Sequence, residues 1–191
     1  MKFEVNRLAM LEVAKAVAKV APSNTPIEIL KGILVESNED AGEVYLTATN
    51  HEVSIQQKVK ASVTESGEML ISPRMLVGML SKLEGEFISL SSDARGNLQV
   101  RGGRCKFLIG CASPKGYPKP IMPFPDECVL MTGICSLAKK TVFAVSDNDT
   151  KPTYNYILVL LLRRVRNHMP KIWACIGFRG NGAVNIFTND N

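Results

Sequence analysis

The sequence predicts an α+β fold made of one complete module followed by part of a second, on three observations. Residues 127 to 159 repeat the apolar pattern of residues 1 to 35 at a spacing of 126: Phe3, Val5, Leu8, Leu11, Val17, Ala18 and Pro26 meet Val129, Met131, Ile134, Leu137, Phe143, Ala144 and Pro152. A two-residue slip then aligns Gly32-Ile33-Leu34-Val35 with Tyr156-Ile157-Leu158-Val159, which keeps the order strand, helix, loop, strand. A fixed period marks a repeated structural unit, although any two strand–helix–strand segments share part of such a pattern. The second observation is a series of short alternating stretches punctuated by turn residues, with only two helical periodicities among them. The third is a proline-rich joint: Pro114, Pro118, Pro120, Pro123 and Pro125 are half of the ten prolines in the chain and read as a stiff, extended linker.

These features divide the chain into a complete domain over 1–120 and a partial one over 121–191, with 160–191 a divergent tail. A module of 126 residues leaves 65 of the 191, about half a unit. Half a unit exposes a sheet edge and an apolar face, so partner binding, swapping or poor solubility is expected.

Taken in order, Lys2 to Val5 alternates as a strand, and Asn6 caps a helix by accepting a backbone N–H. Residues 7 to about 20 place Leu8, Leu11, Ala14 and Ala18 on one buried stripe and Glu12, Lys15 and Lys19 on another face. Pro22 and Pro26 end the helix; Ile27 to Glu36 and Val44 to Val63 read as strands around a turn at Asn38 to Gly42. Ser72-Pro73 starts a second helix, with Ser accepting an orphan N–H and Pro having none to waste at the first position. Leu76, Met79, Leu80 and Leu83 form its buried stripe, Arg74, Gly78 and Lys82 lie opposite, and Gly85 stops it in left-handed geometry. Phe87 to Cys111 alternates as a meander with turns at Asp93 to Asn97 and Arg101 to Arg104. This gives two helices and about eight strands. Beyond the joint, Glu127 to Met131 reads as strand and Ile134 to Phe143 as helix.

Composition narrows the class. Hydrophobic residues are 46% and charged residues 21%, the balance of a globular chain. The longest apolar run, Tyr156 to Leu162, is strand-sized and far short of the roughly 20 residues that span a bilayer. Glu4 stands where an export signal would begin its apolar stretch, so a cytoplasmic protein with no membrane partner is expected. Five cysteines at 105, 111, 128, 135 and 175 have neither CxxC spacing nor an even count, which reads as free thiols.

The sequence shows no catalytic constellation. His51 and His168 are the only histidines, no nucleophile elbow, zinc or phosphate-loop motif occurs, and Gly177 to Gly182 does not match a dinucleotide loop. Asp147 and Asp149 sit in a loop rich in turn residues. No enzyme activity, metal or cofactor is predicted. The helix faces carry more: Lys15 and Lys19 on the first helix, Arg74 and Lys82 on the second, and Lys139 and Lys140 on the repeated one suit phosphate, each releasing counterion without reading bases. The competing reading is a solvated helix face, since Glu12 sits among the lysines. The net charge of +5 supports nucleic-acid binding weakly, because residues 126–191 carry +3 of it.

Several motifs, taken together, resemble a family. Met1-Lys2-Phe3, Ile29-Leu30-Lys31-Gly32-Ile33-Leu34, Leu46 through Val53, Ile71-Ser72-Pro73-Arg74, Leu83-Glu84-Gly85, Arg101 through Phe107, Tyr117-Pro118 and Phe143-Ala144-Val145-Ser146 follow the order and spacing of the bacterial sliding clamp, the beta subunit of DNA polymerase III. The likeness runs to about Val159. It implies a DNA-clamp fold, with two helices packed against curved antiparallel sheets in each domain, and domains joined into a ring around duplex DNA. It further implies the replicative polymerase and the clamp loader as partners, and a processivity role without chemistry. The six basic helix residues would then face DNA, joined by Asn24, where the family often has arginine, and by Asn148 and Lys151.

The chain also departs from the family. Members carry three domains, and here the third is absent. Leu160 to Arg166 replaces an acidic turn and strand, Tyr156 stands for a glycine, and Ile176 stands for an aspartate. Tyr154, Cys175, Gly177, Phe178 and Arg179 map to part of the pocket for partner peptides, whose remainder lies in the missing domain. Self-association into a ring therefore lacks its usual interfaces, and a short, non-ring homologue that binds DNA or clamp partners is the alternative.

Overall fold

The structure, a computed structural model, describes residues 1–50, 53–93, 95–120, 134–145, 157–162, 171–179 and 182–187, the last three stretches as backbone. The chain divides into two compact units, Met1–Met122 and Pro123–Asn191.

The first unit contains one eight-stranded antiparallel sheet in the order β5-β2-β3-β4-β1-β6-β7-β8. Its strands are β1 (Lys2–Asn6), β2 (Ile33–Asn38), β3 (Glu43–Thr49), β4 (Ser54–Glu65), β5 (Gly67–Ile71), β6 (Phe87–Ser92), β7 (Asn97–Gly102) and β8 (Cys105–Gly110). The twelve-residue β4 is the hinge of the sheet: Ser54 to Lys60 pairs with β3, and Ala61 to Glu65 pairs with β1. Changing partner halfway lets one strand belong to two half-sheets that diverge. The far ends of the sheet then meet again, where Leu70 of β5 exchanges backbone hydrogen bonds with Ala112 just past β8 at 3.3 and 3.0 Å. An eight-stranded sheet whose two ends touch is necessarily curved, as expected for this fold.

Two helices, α1 (Arg7–Ala18) and α2 (Pro73–Lys82), pack against each other over one core. The Asn6 side chain accepts from the N–H groups of Leu8 and Ala9, both at 3.1 Å, so the expected cap is present. The buried stripe of α1 is Met10, Leu11, Ala14 and Val17, and each such burial contributes roughly 1.5–3 kcal/mol for the larger side chains. Leu8 is corrected to an exposed residue, at 58%: the buried stripe runs through Met10, Ala14 and Val17, and Leu8 falls at helical spacing on the exposed face with Glu12 and Lys15. On α2 the expected stripe Leu76, Met79, Leu80 and Leu83 is buried throughout. Ser72 precedes Pro73 as expected, but its side chain makes no capping bond; its carbonyl accepts from Leu76 at 2.9 Å instead. Gly85 has φ +96, the left-handed geometry predicted for the stop.

Ile27 to Glu36 is not one strand. Glu28–Lys31 forms a 3-10 turn and β2 begins at Ile33, because Leu30 turns into the interior there. β2 is buried on both faces. Ile33 and Val35 join the main core, while Leu34 packs with Leu70 and Tyr117 on the outer side. Tyr117 belongs to the proline-rich stretch, so residues 114–120 are a strap laid on the sheet rather than a free linker. Its hydroxyl donates to the carbonyls of Gly32 and Thr47, each at 3.4 Å, and Lys119 bridges Glu36 at 2.6 Å and Glu68 at 3.0 Å.

In the second unit, α3 (Ile134–Thr141) is followed by a 3-10 turn over Val142–Ala144, which shortens the helix expected to reach Phe143. Phe143, paired in sequence with the fully buried Val17, is 62% exposed, since the change of helix type rotates it off the packed face. Three antiparallel strands follow in the order β11-β10-β9: β9 (Ile157–Leu162), β10 (Lys171–Arg179) and β11 (Gly182–Phe187). α3 lies against β10. The strand expected over Glu127 to Met131 lies outside the described residues.

Candidate nucleic-acid interface

The helix layer of the first unit presents Lys15 and Lys19 one turn apart on α1, and Arg74 and Lys82 at opposite ends of α2; all four are exposed. Both buried stripes are spent on the same core, so the remaining faces of the two helices point to solvent on one layer. Arg7 fixes the pair. Its guanidinium donates to the carbonyls of Gly85 at 3.0 Å and Leu80 at 3.3 Å, and its backbone N–H donates to Glu86 at 2.8 Å, which sets the start of α1 against the end of α2. Sequence reasoning missed this role, although an arginine at the first position of a helix, where a cation opposes the dipole, is the signal that something else holds it. Lys82 accordingly lies at the Arg7 end of the pair and Arg74 at the far end of α2.

Some cations near the sheet are paired, while Lys60, Arg101 and Lys106 on its strands form no ion pair among the described residues. Lys58 is neutralised by Glu43 at 2.8 Å, and Lys119 by Glu36 and Glu68. That contact, helped by the Tyr45 hydroxyl, holds the Glu43 carboxyl below its usual range and raises Lys58. Lys15, Lys19, Arg74 and Lys82 form no ion pair among the described residues, and Glu12 does not neutralise its neighbours. Four uncompensated cations on a helix layer are chemically suited to a polyanion held loosely, through its phosphates. Asn24 is exposed in the loop that leaves the C-terminal end of α1, beyond Lys19. In the second unit Lys139 and Lys140 are exposed on the last turn of α3. Asn148 and Lys151 lie outside the described residues.

A second charged feature of the first unit was not singled out from the sequence. Among the described residues β8 pairs only with β7, apart from the Leu70–Ala112 bridge just past its end, and its surroundings carry exposed Arg101, Arg104 and Lys106 beside Leu108, which is 65% exposed. Cross-strand pairing of Arg101 with Lys106 sets like charges side by side, which costs stability unless a partner supplies acid. The signal was present in the Arg-Gly-Gly-Arg-Cys-Lys run, but only the topology shows that this run borders an open edge.

Of the predicted peptide-pocket positions, Cys175, Gly177, Phe178 and Arg179 fall on β10. Cys175, Gly177 and Arg179 alternate with Phe178, so the four positions divide between the two faces of the three-stranded sheet. Tyr154 lies outside the described residues, as do His51, His168, Asp147 and Asp149.

Comparison with known proteins agrees with this architecture. Residues 1–122 match the family model for the DNA polymerase III beta subunit, N-terminal domain. The beta sliding clamp of Chlamydia muridarum is 27% identical over 193 residues, covering 99% of this chain and 50% of that protein. That of Streptomyces coelicolor is 28% identical over 153 residues, covering 80% and 40%. Among solved structures, the beta subunit of the Streptococcus pyogenes DNA polymerase superposes with a TM-score of 0.77 at 18% identity, over 100% of this chain and 51% of that one. The Bartonella birtlesii sliding clamp bound to griselimycin gives 0.79 at 20% identity, over 98% and 50%. The chain thus spans about half the length of the relatives it matches. With residues 1–122 matching the N-terminal domain in sequence and the curved sheet over paired helices in structure, this chain belongs to the DNA polymerase III beta subunit family, the bacterial sliding clamps.

Proposed function

We propose that this chain contributes a DNA-facing segment of a sliding clamp: a non-catalytic, cytoplasmic accessory subunit that tethers the replicative polymerase to duplex DNA during replication. The unpaired cations Lys15, Lys19, Arg74 and Lys82 on the helix layer carry the reading. Phosphate contact of this kind is sequence-independent and weak per contact, which permits sliding. Processivity in such a protein comes from enclosure, so it demands closed interfaces between modules. The open β8 edge, with Arg101, Arg104, Lys106 and Leu108, calls for an acidic and apolar strand from a neighbouring module. The 191 residues hold one full module and part of another. By themselves they neither encircle DNA nor support processive synthesis, and the polymerase and clamp loader engage the assembled ring. Retained loading and processivity of the purified chain in primer extension overturns that statement.

The DNA-facing role is tested by the salt dependence of duplex binding. Each lost phosphate contact lowers the slope of log K against log salt by about 0.9. Changing Lys15, Lys19, Arg74 and Lys82 together to alanine is expected to lower it by roughly 3 to 4, equally for unrelated sequences. An unchanged slope removes the helix layer from the interface. If instead deletion of 160–191 abolishes binding, the basic tail is the contact and the short, non-ring homologue is the correct reading.

A further inference from the structure

α2 carries one residue that its own packing does not explain. Gly78 stands in the middle of the helix, where glycine is less favourable than alanine because it gives up more backbone freedom on folding. Gly102 shows what a packing reason looks like: a Cβ there would lie 2.8 Å from the Ile88 Cγ2. At Gly78 a Cβ would meet nothing within 4 Å beyond the backbone of its own helix, and its φ is not left-handed. Neither the contact between α1 and α2 nor the sheet beneath them therefore requires the side chain to be missing.

The residues around Gly78 suggest what does. It shares one row of the helix surface with Arg74 and Lys82, at four-residue steps, so each cation stands about 6 Å along the axis from the glycine. Both cations are exposed, and neither forms an ion pair among the described residues. α2 has no carboxylate, whereas the exposed lysines of α1 have Glu12 on the same face. The carbonyl bared by the missing side chain is already covered. The Ser81 hydroxyl donates to it at 2.8 Å, so it does not meet an approaching anion as an unsatisfied acceptor.

We propose that Gly78 is a saddle in the helix layer where one sugar–phosphate strand of the duplex crosses α2, with Arg74 and Lys82 closing on its phosphates from either side. A side chain at this position holds the strand off the helix, and glycine lets the two backbones approach. Contacts confined to phosphate and sugar carry no base information, so the strand is free to be replaced by the next one as the duplex moves. The seat rests on the DNA-facing reading of the helix layer and adds to it the place where phosphate comes closest.

Anisotropy of a labelled duplex titrated with the full chain at several salt concentrations tests this, beside thermal melting. Gly78→Ala and Gly78→Leu change no charge and introduce better helix formers, so both are expected to melt above the parent, Gly78→Ala by roughly 2–4 °C. Duplex affinity is expected to fall with side-chain size, by roughly tenfold or more for Gly78→Leu at about 50 mM salt, with the slope of log K against log salt lowered by about 1 to 2. Undiminished affinity and slope in Gly78→Leu overturn the saddle. So does melting below the parent, which assigns the glycine to packing. The two readings fail separately. If Gly78→Leu binds like the parent while joint replacement of Lys15, Lys19, Arg74 and Lys82 by alanine still lowers the slope, the layer faces DNA without this seat; a parent whose binding is indifferent to those four residues removes both.

Discussion

Arg7 shows how a single side chain sets the candidate interface. It donates to two carbonyls at the end of α2 and so ties together the two helices whose outer faces carry the cations. Replacing it with methionine keeps the apolar stem and removes the charged donors. We expect a loss of about 1.5–3 kcal/mol in urea unfolding, the range for a hydrogen bond from a charged group. Duplex binding of Arg7→Met is expected to weaken more than loss of one phosphate contact explains, because helix registry shifts Lys82 with it. Asp93 acts at the β6–β7 turn, where it accepts from the Asn97 side chain at 2.9 Å and from the backbone of Asn97 and Arg95 at 2.8 Å. The Asn97 amide, then the backbone donors, hold its carboxyl below the usual 3.8. A depressed carboxyl contributes stability above its unfolded value and loses it as pH falls through the folded one. Asp93→Asn is therefore expected to melt lower than the parent at neutral pH and to lose less on acidification below about pH 4, measured by thermal melts across pH.

At the scale of elements, the strap at 114–120 is the part whose role depends most on packing. Tyr117 is 6% exposed and sits over Leu34 and Leu70, close to where Gly32 leaves room: a Cβ there would lie 2.4 Å from the Leu70 Cγ. Tyr117→Ala is expected to cost about 3 kcal/mol, as for other buried aromatic truncations, and to make the strap a site of limited proteolysis. Gly32→Ala is expected to cost about 1–3 kcal/mol by overpacking. Burial raises the Tyr117 phenol, and Glu36 first, then Glu68, raises Lys119. Groups raised in the folded state lose their contribution as pH rises, so the strap is expected to become protease-sensitive above about pH 10 in the parent, a response that Lys119→Met weakens. The prolines made this segment legible as extended, yet nothing in their spacing indicates that it is docked. Much of the local signal was legible because it rests on neighbours within four residues: Asn6, the α2 stripe and Gly85 behave as read, whereas Ser72 makes no side-chain capping bond. Leu8 and Phe143 do not behave as read, because which face of a helix is buried, and where the α-helix gives way to a 3-10 turn, are set by packing rather than by the local pattern.

For the molecule as a whole, the sequence alone determined the α+β class, the positions of the basic helix residues and the resemblance that the family match confirms. These are local or periodic properties, written at spacings of two and four residues. The tertiary structure decided which edges remain open, which cations are neutralised and which apolar residues find cover. Whether Lys58 is paired depends on Glu43 across the β3–β4 ladder, and whether Leu108 is exposed depends on which strand lies beside it. Those outcomes come from pairing between residues distant in the chain. Side-chain type cannot encode them alone, because the same alternating strand is an interior one or an edge according to what the fold brings alongside.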